Sequence, residues 1–386
     1  MASHKRVLIL SASIGGGHVA AARALESAFG EEGNPCLHVD LLDYTSAPFR
    51  RIYRQSYFDL VRRAPEMVDW LGRRLDRAPG ETMSRARRFR GRISRLISYQ
   101  LPRVLRAYQP DLILHTHFLP PDLIPGRRSL DPLPPQAIVV TDFGAHALWM
   151  TPGVARYYVA AEEVAVHLRE SGVASDKVEV TGIPIDLRFN DLPTVADARK
   201  QLGLDPEKDV LLMLLGGMDR KVAKALLERV HELRWPVNVL VVSGRSPELL
   251  DVARDAAEQH NELVRILPFG MRQDMPTLMA SASLIVGKPG GLTVSEALAA
   301  GRPFAVVQPY PVQEEANAGY LLEQGVAIRI DPLTTFDSKV RSLLTDRKRL
   351  EDMSERAKSI GRPDAARAIV ASARQMLLEK EANQPT

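Results

Sequence analysis

Short apolar runs alternate with stretches of helical period along nearly the whole chain, and this alternation constrains the fold more than any other feature. Residues 5–11 read as a buried strand and 19–29 as a helix, with Ala22, Leu25, Ala28 and Phe29 on one face. Further strand-like runs lie at 37–39, 112–115, 137–140, 157–160 and 178–180, with a helix over 162–171. The pattern restarts with strands at 210–215, 237–242, 263–267, 284–286 and 303–307, separated by helices at 220–233, 249–259, 276–281 and 293–300. Continuous apolar runs belong to strands covered on both faces, and strand–helix alternation belongs to parallel sheets. The fold class expected is α/β, two doubly wound Rossmann-like domains facing a cleft. The first domain spans 1–186 and carries a basic helical segment at 49–108; the second spans 199–361. A helix and tail at 362–386 are expected to pack back toward the N-terminal domain. The aperiodic stretch 184–193, with two prolines, reads as the connection. A length of 386 residues suits two domains.

Composition narrows the function classes. A single cysteine, Cys36, excludes an intrachain disulfide. The longest apolar runs, such as 210–215, fall far short of the ~18 residues of a membrane span. The N-terminal run 7–10 is shorter than the ~7–15-residue core of a signal peptide. The expectation is a cytoplasmic protein, soluble or peripherally attached to the inner face of the cell membrane. The net charge of +4 hides an asymmetry, because residues 50–106 hold 16 arginines and no lysine against five acids. That segment carries +11, which leaves −7 for the remainder. Such an excess predicts an anionic partner: a membrane surface, nucleic acid or another polyanion. No recognised nucleic-acid-binding motif stands beside it.

Two glycine-rich turns carry the chemical signal. The first, Ser13-Ile14-Gly15-Gly16-Gly17-His18, joins a strand to a helix, where glycines let the backbone turn tightly and present helix N–H groups. Gly15, Gly17 and Ala20 fit the dinucleotide fingerprint, with Asp40 where a ribose-binding acid belongs. A NAD-dependent oxidoreductase is therefore one reading of this turn. His18 adds an imidazole in the first helical turn. The second turn, Gly287-Lys288-Pro289-Gly290-Gly291-Leu292-Thr293, leads to Glu296, so Thr293 and Glu296 have capping-box spacing. A glycine pair opening a helix is equally a phosphate cradle, with a glutamate one turn on to accept ribose hydroxyls. Gly216-Gly217 ends another strand, and a proline-framed loop at 309–312 leads into Gln313, Glu314 and Asn317. Together these point to a nucleotide-sugar site at the strand ends. The chain has no Walker A motif, no Asp-x-Asp and no His-Glu-x-x-His. His115 and His117 alternate along a strand without a third ligand, a poor zinc site. No metal and no cofactor are expected, and helix N-termini at Gly291 and Gly217 would meet the diphosphate instead.

The residues at 11–25, 140–168, 178–185 and 287–321 resemble the monogalactosyldiacylglycerol synthase and processive diacylglycerol glucosyltransferase family, related more distantly to the lipid II GlcNAc transferase of peptidoglycan synthesis. The matching motifs read SASIGGGHVAAARAL, VTDFGAHALWMTPGVARYYVAAEEVAVHL, VEVTGIPI and GKPGGLTVSEALAAGRPFAVVQPYPVQEEANAGYL. The resemblance implies a GT-B fold, a UDP-sugar donor and a diacylglycerol acceptor at the membrane. It implies that Gly290, Gly291 and Thr293 hold the donor phosphates and Glu296 the ribose. Gln313, Glu314 and Asn317 would meet the sugar, and Phe269 and Gly270 begin the uracil loop. Gly216 and Gly217 join this donor set, and Gly15, Gly16 and Gly17 form the acceptor-side turn. Two departures stand out: Ser283 replaces an aspartate, and PYPVQEE replaces P-x-P-G-Q-E-E.

The implied reaction is an inverting transfer of glucose or galactose to the free hydroxyl of 1,2-diacylglycerol, with Asp142 favoured as base and His18 nearly its equal. A GlcNAc transferase acting on another lipid stays open, as do the oxidoreductase and a noncatalytic polyanion-binding protein. Arg85, Arg87, Arg88 and Arg90, among interleaved aromatic and apolar residues, are the expected contacts to an anionic bilayer.

Overall fold

The computed structural model describes residues 5–47, 50, 101–119, 124, 133–309 and 313–382. Most of the basic segment, including Arg85, Arg87, Arg88 and Arg90, lies outside the described residues. The chain forms two compact units. One takes in the chain to Leu187 and again from Asp364; the other runs from Arg188 to Pro363, apart from 311–313.

In the first unit the chain runs β1 (Val7–Ser11), α1 (Gly17–Glu31), β2 (Cys36–Asp40), α2 (Leu101–Tyr108), β3 (Leu112–His115), β4 (Gln136–Val139), β5 (Arg156–Val159), α3 (Glu162–Glu170) and β6 (Val178–Val180). Its six strands are ordered β2-β1-β3-β4-β5-β6, all parallel. The order reverses at β1: the chain moves outward to β2, then returns to the other side for β3. Val7, Ile9, Leu112 and Leu114 are covered by α1 on one face, while Leu8, Leu10 and Ile113 meet α2 on the other. Burial on both faces is why β1 and β3 are apolar up to their last residues, Ser11 and His115.

The second unit runs α4 (Val195–Gln201), β7 (Asp209–Leu214), α5 (Arg220–His231), β8 (Val237–Val242), α6 (Pro247–Ala257), β9 (Val264–Phe269), α7 (Met275–Ser281), β10 (Leu284–Gly287), α8 (Gly291–Ala299), β11 (Phe304–Val307), α9 (Gln313–Glu323), β12 (Ala327–Ile330), α10 (Phe336–Thr345) and α11 (Arg347–Ile360). Its order, β12-β11-β10-β7-β8-β9, is again parallel and again reverses at the first strand, between β7 and β10. In doubly wound sheets ligands bind beyond the strand C-termini at such a reversal. β12 escapes a period-based reading because its four residues, AIRI, include an arginine.

The last helix, α12 (Ala365–Ala382), belongs to the first unit. Ile369, Val370, Ala373, Met376 and Leu377 share the core of Val7, Leu25 and Phe29. Arg367 pairs with Glu31 on α1, and Ser372 links Tyr158 of β5 to Glu179 of β6. At the N-terminal end of β7, Ser283 takes part in a polar knot around buried Asp209. Ser283 donates to Asp209 at 2.9 Å, Trp235 donates at 2.8 Å, and Arg347 grips both carboxylate oxygens at 2.8 Å. Burial opposes the charge of Asp209, but these donors outweigh it and hold the carboxyl below its usual range.

Candidate functional site

In the first unit the reversal between β1 and β3 gathers the polar groups. Gly15 turns the chain with φ +79°, a conformation that side chains rarely adopt, and the space around Gly15 and Gly16 is open. Asp40 secures this turn from the end of β2. Its Oδ1 accepts the N–H of Ser13 at 3.2 Å and of Leu42 at 3.1 Å. The acid that the dinucleotide reading assigned to a ribose is thus engaged in local structure. Gly17 and His18 are the first residues of α1, whose cap is Gly16 with no side-chain bond.

His18 is clasped by two threonines distant in sequence. Its Nδ1 lies 2.8 Å from the Thr116 carbonyl and 2.8 Å from the Thr141 hydroxyl, and the Thr116 hydroxyl donates to the His18 carbonyl at 2.8 Å. A carbonyl only accepts, so Nδ1 carries the proton and Nε2 is the lone-pair nitrogen. Burial holds the imidazole neutral, lowering its pKa to about 4 against a smaller opposing effect of the Thr116 bond. Asp142 follows Thr141 directly beyond β4 and is half-buried.

Around His18 lies an aromatic cluster that sequence reasoning missed. The His117 ring meets His18 edge-on with centroids 4.5 Å apart and stacks on Phe118 at 4.2 Å. Phe118 in turn meets Trp149 at 5.6 Å and His146 at 5.0 Å. His117 Nδ1 accepts the Leu119 N–H at 3.0 Å, so its proton sits on Nε2, the opposite tautomer to His18. Burial, with His18 and His146 nearby, pushes its pKa well below that of free histidine. His115 bonds Gln136 at 2.9 Å and is also kept neutral by burial, at about 4. His115 and His117 therefore serve separate contacts. Among the described residues no group of three or more His, Cys, Asp or Glu is arranged to hold a metal.

In the second unit the reversal between β7 and β10 sets three strand ends side by side. β7 leads into Gly216 and Gly217, both exposed, with φ +75° at Gly217 and open space around each. β10 and β7 approach closely, for a Cβ on Gly287 would lie 3.1 Å from the Leu214 carbonyl. After β10 the helix α8 begins at Gly291, with Gly290 as its cap and no side-chain bond there. The capping box read from Thr293 and Glu296 is therefore not formed: the helix starts two residues earlier, and both residues are half-buried within it. From β11 the chain enters α9 at Gln313. Asn317, fully buried, donates to the Pro289 carbonyl at 2.9 Å and ties α9 to the glycine turn. Lys288 pairs with Glu314 at 3.2 Å and donates to the Gly217 carbonyl at 3.4 Å. At the end of β9 the Arg272 guanidinium stands 4.8 Å above the Phe269 ring, next to Gly270. The structure thus brings Gly217 and Glu314 together at Lys288, with Asn317 bonded to the adjacent Pro289. Lys288 lay inside the quoted glycine motif, where its charge was the available signal. Thr116 and Thr141 gave none, because their role depends on contacts 98 and 123 residues away.

Comparison with known proteins covers both halves. The family described as "Monogalactosyldiacylglycerol (MGDG) synthase" matches residues 18–185, and "Glycosyl transferases group 1" matches 195–360. A "Processive diacylglycerol beta-glucosyltransferase" of Bacillus licheniformis is 29% identical over 378 residues, 96% of this chain and 94% of that one. Among solved structures, MurG of Acinetobacter baumannii superposes with a TM-score of 0.62 at 16% identity, covering 96% of this chain and 99% of that one. HepE of Anabaena, solved in complex with UDP-glucose, gives 0.56 at 14% identity, covering 98% and 100%.

Proposed function

Since the chain belongs to the monogalactosyldiacylglycerol synthase and processive diacylglycerol glucosyltransferase family of GT-B glycosyltransferases, we propose that it transfers glucose from UDP-glucose to the free hydroxyl of 1,2-diacylglycerol at a membrane surface. The choice of glucose rests on the relatives, which are described as beta-glucosyltransferases. The observation that carries the chemistry is the tautomer of His18: a neutral imidazole, proton fixed on Nδ1, with Nε2 as its basic nitrogen.

The acceptor hydroxyl attacks the anomeric carbon, the bond from that carbon to the UDP oxygen breaks, and the hydroxyl proton passes to a base. His18 Nε2 takes this proton in our assignment, and the neighbouring Asp142 orients the hydroxyl and stabilises the imidazolium. The sequence alone favoured the reverse division of labour; the Thr116 bond supports this one. One displacement inverts the anomeric centre, so an α-linked donor yields a β-glucoside. In the second unit, the Gly216–Gly217 turn and the α8 N-terminus at Gly290 and Gly291 meet the diphosphate, with Thr293 beside it. Glu296 accepts from the ribose, Phe269 and Gly270 border the uracil, and Gln313, Glu314 and Asn317 face the sugar.

The test is product analysis after incubation of the protein with diacylglycerol vesicles and UDP-glucose, UDP-galactose or UDP-N-acetylglucosamine. A β-glucosyl diacylglycerol, formed equally well with EDTA present, is the expected result. A galactolipid or an N-acetylglucosamine product would reassign the sugar. NAD(H) binding without any glycolipid would favour the oxidoreductase.

A further inference from the structure

Lys288 is a charged residue that the sugar-transfer scheme leaves without a role, and its surroundings are unusual for a lysine. It is the first residue beyond β10, and its side chain is only 10% exposed. Lysines are seldom buried unless paired, and here the pair is explicit: Glu314 Oε1 lies 3.2 Å away, its own side chain 20% exposed. The ammonium also donates to the carbonyl of Gly217, in the turn after β7. One cation therefore touches the turn after β7 and the first turn of α9, and follows β10 directly. Burial lowers its pKa from 10.5, and Glu314 works in the opposite direction to keep it charged.

A charge in this position has a chemical use. When the glycosidic bond to UDP breaks, negative charge builds on the diphosphate, and fixed positive groups near it lower the barrier. Among the described residues no cluster of metal-binding side chains stands ready to supply that charge. The glycine turn beside Lys288 is open, with no heavy atom within 4 Å of the Cβ position of Gly216 or Gly217. A flexible four-carbon stem lets an ammonium re-aim over short distances.

We propose that Lys288 is the counter-charge for the departing diphosphate of the nucleotide-sugar donor, held by Glu314 until that donor arrives. The proposal rests on the donor reading above and adds the residue that replaces a metal ion. Glu314 has a double part: it neutralises the ammonium in the empty site and turns to the sugar when the diphosphate takes its place. The ion pair thus links occupancy of the diphosphate subsite to the sugar subsite.

The experiment compares binding of UDP and uridine to wild type, Lys288→Met and the double variant Lys288→Met with Glu314→Gln, by calorimetry on the full chain. The double variant guards against misfolding caused by a carboxylate left buried alone. Loss of a charge-assisted contact to phosphate should weaken UDP about 10- to 100-fold in both variants. Uridine, which has no phosphate, should change less than about twofold. Undiminished UDP affinity in folded variants would overturn the role of Lys288 alone. Equal losses for UDP and uridine would make Lys288 a strut of the fold and overturn it too. A wild type that binds neither ligand would instead bring down the donor reading beneath it.

Discussion

A neutral imidazole whose charged form is disfavoured by partial burial is a base whose useful range extends to the acid side of free histidine. His18 is such a group, with a pKa lowered to about 4. The sign follows directly: the active form is unprotonated, so lowering the pKa extends activity to lower pH. In wild type, kcat/KM should fall only as pH drops through about 4, and an acid limb near 6.5 would sink His18 as the buried base. His18→Gln and Asp142→Asn should each lower turnover by ~10²–10⁴-fold with UDP affinity nearly unchanged. A near-normal Asp142→Asn enzyme would remove that carboxylate from the reaction. At this scale the sequence was partly legible. His18 and Asp142 sit in recognisable motifs, but the proton on Nδ1 depends on the Thr116 carbonyl, which the fold alone brings within 2.8 Å. Lys288 was legible as a charge and not as a buried one, for burial belongs to the packing of β7, β10 and α9.

At the scale of elements, strands were easier to read than helix ends. Strands apolar on both faces leave an unbroken run, whereas α8 starts on Gly290 and Gly291, which have no propensity to announce a helix. The join between α11 and α8 is tighter than any pattern reveals: a Cβ on Gly361 would lie 2.5 Å from the Leu298 carbonyl. The docking of α12 is apolar, with Ile369 fully buried against the first unit's core. Ile369→Ala should therefore cost about 2–5 kcal/mol in urea unfolding. Arg367→Ala, which loses exposed ion pairs to Glu31 and Asp364, should change stability little. Equal effects from the two would mean that the ion pair, and not the apolar face, docks the helix.

For the whole molecule, the division into two similar sheets was readable because the alternation of strand and helix occurs twice. The partner surface was readable only as charge. Arg85, Arg87, Arg88 and Arg90 belong to a segment of +11, and replacing all four with glutamine should weaken binding to anionic vesicles and lower activity on them. Activity on a short-chain, water-dispersed acceptor should change little, and wild-type binding should decline as salt rises. Vesicle binding indifferent to salt and to anionic lipid would reject this surface. The passage of the chain out of the first unit at Leu187 and back at Asp364 has a further consequence, for biosynthesis. Domains generally form as they leave the ribosome, the earlier one first. Here the later-made unit, apart from 311–313, comes from one stretch of chain and is complete once Pro363 has emerged. The earlier-made one must wait for α12 to cover Val7, Leu25 and Phe29. Its six strands are translated first, yet its core is the last to close, so the nascent chain carries an open apolar face through most of its synthesis.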